Sequence, residues 1–140
     1  MLKYHLQSSM FLLDISMTDK VRILVVDDES DVLTTLRRGL EMQGYEVDAF
    51  GRPADVIKLD TRKYNMAILD IRMPEINGFQ LARHLWEQND KLPICFLTAF
   101  EIYESEAKKV MPDLRSYCFI KKPILPSELA KHIEQRLLEN

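Results

Sequence analysis

The chain has 140 residues, enough for one globular domain and crowded for two. Hydrophobic residues make up 46% and charged residues 29%, a balance that supports a buried core and excludes the composition of a disordered chain. A formal net charge of −3, with no local block of Lys or Arg, lacks the concentrated basic face that direct nucleic-acid binding requires.

Residues 1–20 are read as a tail or extension ahead of a domain over 21–140. Their longest uncharged run, Leu6 to Leu13, is far short of a membrane span. Asp14 interrupts the stretch before it can serve as a signal-peptide core, and no small-x-small cleavage site follows. The expectation is a cytoplasmic chain with no membrane association.

From Val21 onward, short apolar runs alternate with amphipathic helical stretches. Val21–Val26 is β-branched and apolar on both faces, as a buried parallel strand should be, and it ends in Asp27-Asp28-Glu29-Ser30. Val32, Leu36 and Leu40 recur every four residues along a helix that stops before Gly44. Tyr45–Phe50 reads as a second strand, followed by a two-turn helix around Ala54–Leu59. Asn65–Leu69 is the third strand and delivers Asp70 at its carboxyl end. A loop over Met73–Gly78 leads into a helix over Phe79–Gln88, on which Trp86 is a packing residue. Pro93–Leu97 is the fourth strand, ending in Thr98, and a more polar helix follows over Glu101–Val110. Tyr117–Ile120 is the fifth strand, ending in Lys121-Lys122-Pro123, and a helix over Ser127–Leu138 closes the pattern. Cys95 and Cys118 lie inside apolar runs without metal-ligand spacing and are expected as buried free thiols in a reducing cytosol. His5, His84 and His132 are scattered and expected at the surface.

Five strands alternating with five helices predict an α/β fold: a single doubly wound (βα)5 three-layer sandwich around a parallel sheet of order 2-1-3-4-5. Such sheets bind ligands beyond the carboxyl ends of their strands, where the strand order reverses. Asp27 and Asp28 follow strand one, Asp70 strand three, Thr98 strand four and Lys122 strand five. Taken singly, these are a helix-capping cluster, a strand end, a β-branched terminus and a solvated lysine. Taken together, they converge on one cleft. Three carboxylates gathered there repel one another unless a cation compensates, and Mg²⁺ suits oxygen ligands of this kind. A carboxylate held this way can accept a phosphoryl group, while an ammonium and a hydroxyl balance the charge on its oxygens.

The ordered set Val-Val-Asp-Asp, Leu-Asp-Ile-Arg-Met-Pro-Glu-Ile-Asn-Gly, Leu-Thr-Ala and Ile-Lys-Lys-Pro resembles the receiver domain of two-component response regulators from about Val21 to Leu138. The resemblance implies that Asp70 is the phosphorylated aspartate, Asp28 a direct metal ligand and Asp27 its acidic neighbour. It implies that the backbone carbonyl of Arg72 completes a Mg²⁺ site. It makes Thr98 the switch hydroxyl, Lys122 the lysine facing the phosphoryl group, in preference to Lys121, and Phe119 the aromatic that changes rotamer. The implied function is a stand-alone receiver in a phosphorelay. Its donor would be a sensor histidine kinase or a histidine phosphotransfer protein, and its reader a downstream effector protein. One departure is the stretch Val110–Ser116, which lacks the Gly-Ala pair that receivers commonly carry before the fifth strand. A phosphohydrolase of the haloacid-dehalogenase type also forms an aspartyl phosphate, but it needs an aspartate two residues past its nucleophile. Here Arg72 occupies that position, and Glu29 occupies the one after Asp27. A receiver that has lost phosphorylation lacks the acceptor, the acidic pair or the lysine, and all are present.

Overall fold

The computed structural model describes residues 20–99, 107–109, 112 and 118–139. Within these residues the strands are β1 (Arg22–Val26), β2 (Glu46–Phe50), β3 (Met66–Asp70), β4 (Ile94–Thr98) and β5 (Phe119–Lys121). The helices are α1 (Ser30–Met42), α2 (Pro53–Ile57), α3 (Gly78–Gln88) and α4 (Pro126–Glu139). Ala107–Lys109 are helical, while the rest of the helix expected over Glu101–Val110 lies outside the described residues, as does most of Val110–Ser116. The strands form one parallel sheet in the order β2-β1-β3-β4-β5.

Local chemistry sets the element ends. Alpha-1 closes at Gln43, and Gly44 takes a φ of +100°, a left-handed conformation that glycine adopts without a Cβ clash. Pro53 starts α2 at a position where its missing N–H costs nothing. Asn77 and Gln80 form a reciprocal capping box at the start of α3, each side chain accepting from the other's backbone N–H. Between α2 and β3, a short 3₁₀ turn over Thr61–Lys63 appears that periodicity does not reveal. Buried Thr61 donates both its N–H and its hydroxyl to Gln88 Oε1, which ties that turn to α3.

Alternation along the strands splits the core in two. Leu24, Val26, Ala67, Leu69 and Phe96 face α2 and α3, where Val56, Phe79, Leu81 and Leu85 cover them. Ile23, Val25, Met66, Ile68, Leu97 and Ile120 face α1 and α4, meeting Leu36, Leu40, Leu129 and Ile133. That explains why β1, β3 and β4 read as apolar runs, since each side of the sheet is roofed by helices, whereas the edge strand β2 carries Glu46 and Asp48 and is only partly buried. Gly39 lies against Pro126, and a Cβ there would run into the proline ring. Trp86 packs as expected and donates its indole N–H to the Leu92 carbonyl at 2.8 Å. No helix among the described residues is long and apolar enough to cross a membrane.

Two expectations are corrected. Cys95 and Cys118 are joined in a disulfide with Cα atoms 4.6 Å apart, not free thiols. Parallel pairing sets Phe96 opposite Phe119, so the residues just before them lie side by side on the α1/α4 face of the sheet. Their 23-residue separation conceals this proximity in the sequence. His84 is half-buried, with Nδ1 3.7 Å from the Glu87 carboxylate, while His132 is exposed as expected. His5 lies outside the described residues.

Candidate functional site

The strand order reverses between β1 and β3, which open a crevice at their carboxyl ends. Asp27 and Asp28 follow β1 directly, and Asp70 is the last residue of β3. Carboxylate oxygens of Asp27, Asp28 and Asp70 all lie within 4.8 Å of one another. Asp27 is fully buried, Asp70 is 4% exposed and Asp28 is open to solvent. The loop below Asp70 is built tightly. Gly78 N–H donates to the Ile71 carbonyl at 2.8 Å, and a Cβ on Gly78 would collide with the Asp70 carbonyl oxygen.

Lys122 reaches in from the end of β5 with its side chain only 10% exposed. Its Nζ lies 2.8 Å from Asp27 Oδ2, 2.8 Å from Glu29 Oε1 and 3.4 Å from Asp70 Oδ1. One ammonium therefore faces three carboxylates. The Lys122 backbone N–H donates to the Thr98 carbonyl at 2.7 Å, which joins the ends of β4 and β5. Thr98 is buried and lies one residue beyond Leu97, the register partner of Asp70. Phe119 is half-buried among aromatic rings, with centroids 5.7 Å from Phe96 and 6.2 Å edge-on from Phe79. Arg72 has an exposed side chain two residues past Asp70, and Lys121 is exposed.

The electrostatics follow from burial and crowding. Burial first, and then the neighbouring Asp27 charge, push the Asp70 carboxyl up to about 7, against the pull of Lys122. Burial opposes charge on Lys122, yet its hydrogen bonds to Asp27 and Glu29 outweigh this and raise its proton affinity. The Lys122 hydrogen bond holds the Glu29 carboxyl below its ordinary range. Four carboxylates against one ammonium leave negative charge in surplus, and three of them offer oxygens close enough to share one ion. The donor set is all oxygen, so it fits a hard divalent cation such as Mg²⁺.

The structure thus brings together Asp27, Asp28, Asp70 and Lys122, with Thr98 at the same rim. It adds Glu29, which the sequence reading treated only as part of a capping cluster. Glu29 occupies the N-cap position of α1 but makes no side-chain capping bond. Its carboxylate is spent on Lys122 instead. The signal that could have found it is spacing: in an extended exit from β1, residue 29 returns to the side that residue 27 faces.

The family model for the response regulator receiver domain matches residues 23–134. The chain is 34% identical over 122 residues to the sensor protein EvgS of Escherichia coli O157:H7, covering 86% of this chain and 10% of that protein. It is 30% identical over 115 residues to the response regulator SaeR of Staphylococcus aureus (strain USA300), covering 82% of this chain and 50% of that protein. The chain therefore spans half or less of the length of these two relatives. Among solved structures, a CheY-like receiver domain protein from Methanospirillum hungatei JF-1 superposes with a TM-score of 0.74 at 25% identity, covering 86% of this chain and 96% of that one. The chemotaxis protein CheY4 of Vibrio cholerae shares the fold with a TM-score of 0.73 at 24% identity, covering 84% and 98%.

Proposed function

Because the chain belongs to the response-regulator receiver family of two-component signalling, we propose that it is a switch operated by phosphorylation of Asp70. The observation that carries this reading is the meeting of buried Asp70 with Asp27, Asp28 and Lys122 at one rim of the sheet.

The donor is a phosphohistidine of a sensor histidine kinase or a histidine phosphotransfer protein. The likeness to both a sensor protein and a response regulator supports a place in that exchange. An Asp70 carboxylate oxygen attacks phosphorus, a P–O bond forms and the P–N bond breaks, and the departing imidazole takes up a proton from solvent. Mg²⁺, held by the carboxylates of Asp27, Asp28 and Asp70 with the Arg72 carbonyl, would supply the positive charge that lets an anionic phosphoryl group approach. Lys122 balances charge on the arriving group, and the Thr98 hydroxyl turns to donate to it. Movement of Thr98 makes room for Phe119 to rotate inward, and the face containing β5 and α4 repacks for a downstream effector protein. Moving the population from 1:99 to 99:1 takes about 5.5 kcal/mol. A few charge-assisted hydrogen bonds at roughly 1.5–3 kcal/mol each suffice. The output of this domain is a protein–protein signal.

The test is labelling with radioactive acetyl phosphate in excess Mg²⁺. The wild type should take up one acid-stable, hydroxylamine-labile phosphoryl group, and the Asp70→Asn variant none. Equal labelling of the two would sink the assignment.

A further inference from the structure

We propose that Glu29 is a positioning residue for phosphoryl transfer: it draws Lys122 toward the rim and sets how readily the site takes an anionic phosphoryl group. The inference rests on Asp70 being the acceptor.

An ammonium has three N–H donors. Lys122 Nζ donates one of them to Glu29 at 2.8 Å and sits in an ion pair with Asp27 Oδ2 at 2.8 Å, while Asp70 stands farther off at 3.4 Å. For Lys122 to close on a phosphoryl group at Asp70 it has to shift from its present place, and that shift stretches one of the short contacts. Asp27 cannot yield cheaply. It is fully buried, so no water can replace the ammonium there, and Lys122 is the cation paired with it among the described residues. Glu29 can, because its side chain is 62% exposed and water replaces the lysine at small cost. Glu29 is therefore the ligand that Lys122 gives up.

Local structure supports a dedicated role. Glutamate is not among the side chains that cap helices well, and this one makes no capping bond, so its carboxylate is free to reach Lys122. Its own backbone N–H donates to Asp27 Oδ1 at 2.9 Å, which fixes the chain where its side chain spans the mouth of the site. A fourth carboxylate at that mouth also opposes an approaching phosphate.

Two variants separate holding from repulsion. Glu29→Gln removes the charge and weakens the grip on Lys122. Glu29→Asp keeps the charge, but its side chain is one methylene too short for the 2.8 Å contact. Initial labelling rates with acetyl phosphate are measured at saturating Mg²⁺ for each protein, with Asp70→Asn alongside, and beryllofluoride titrations give the half-saturating concentration. Both Glu29 variants should label roughly two- to fivefold faster than the wild type, the range set by the strength of an exposed ion pair. Both should also bind beryllofluoride more tightly. The advantage should shrink as salt screens that pair, whereas a purely structural role would leave the labelling rate and the beryllofluoride affinity unchanged. Rates equal to or below wild type for Glu29→Gln overturn the proposal. A fast Glu29→Gln beside a wild-type Glu29→Asp overturns the holding of Lys122, leaving charge alone. A wild type that takes no label defeats the acceptor assignment instead, and this inference with it.

Discussion

Asp70 carries a conflict between function and stability at the scale of one residue. Its carboxyl is buried and its proton affinity is raised, to about 7 from an ordinary 3.8. The folded state therefore holds a proton that the unfolded state releases between roughly pH 4 and pH 7. Stability from this group is present below that window and is lost as pH rises through it. The sign is opposite to that of a salt-bridged aspartate. In the absence of divalent cations, Asp70→Asn should be more stable than the wild type at pH 7.5, by at least about 1.4 kcal/mol, the worth of a tenfold change in proton affinity. Urea unfolding across pH should show that difference closing as the pH falls toward 4. A constant difference across the range would mean that the Asp70 charge is not the source.

At the scale of elements, the strand pair β4–β5 carries most of what moves in the proposed switch: Thr98 on one strand, Phe119 on the other and Lys122 just beyond. Beta-5 has only three residues and lies at the edge of the sheet. It is held by its ladder to β4, by the Lys122–Thr98 backbone bond and by the Cys95–Cys118 disulfide. The bond closes a loop with a 23-residue separation, and removing such a constraint from the unfolded chain costs about 3 kcal/mol on the chain-entropy view. Adding dithiothreitol should therefore lower the urea midpoint by a matching amount, and denatured, unreduced protein should present no reactive thiol. Two reactive thiols with an unchanged midpoint would contradict the bond. Cysteines lie on the α1/α4 face and Phe119 is stacked on the opposite one, so the staple restrains the strands without filling the space the ring needs.

For the molecule as a whole, the site has more negative charge than its one lysine can balance, and the fold bears that cost at its rim. An ion that binds the folded chain and not the unfolded one repays it by mass action. Mg²⁺ at about 100 times its dissociation constant should stabilise the wild type by about 2.7 kcal/mol. The thermal midpoint should climb with Mg²⁺ in the wild type and respond far less in Asp28→Asn. Equal responses would place the ion elsewhere.

The sheet and the cleft were legible in the linear order of residues for a simple reason. A strand covered on both faces is apolar over its buried length, and the first polar residue after that stretch marks the end where ligands bind. Val21–Val26, Asn65–Leu69 and Pro93–Leu97 each announce such an end, so Asp27, Asp70 and Thr98 could be named without coordinates. Periodicity measures neighbours along the chain and is silent about neighbours across it. That is why only the tertiary structure decided that Cys95 touches Cys118, that Gly78 must lack a side chain beneath Asp70, and that Glu29 faces Lys122 instead of capping its own helix. Each of these depends on the register of one strand against another or on the rotamer of a long side chain, quantities that packing sets only after the elements have met.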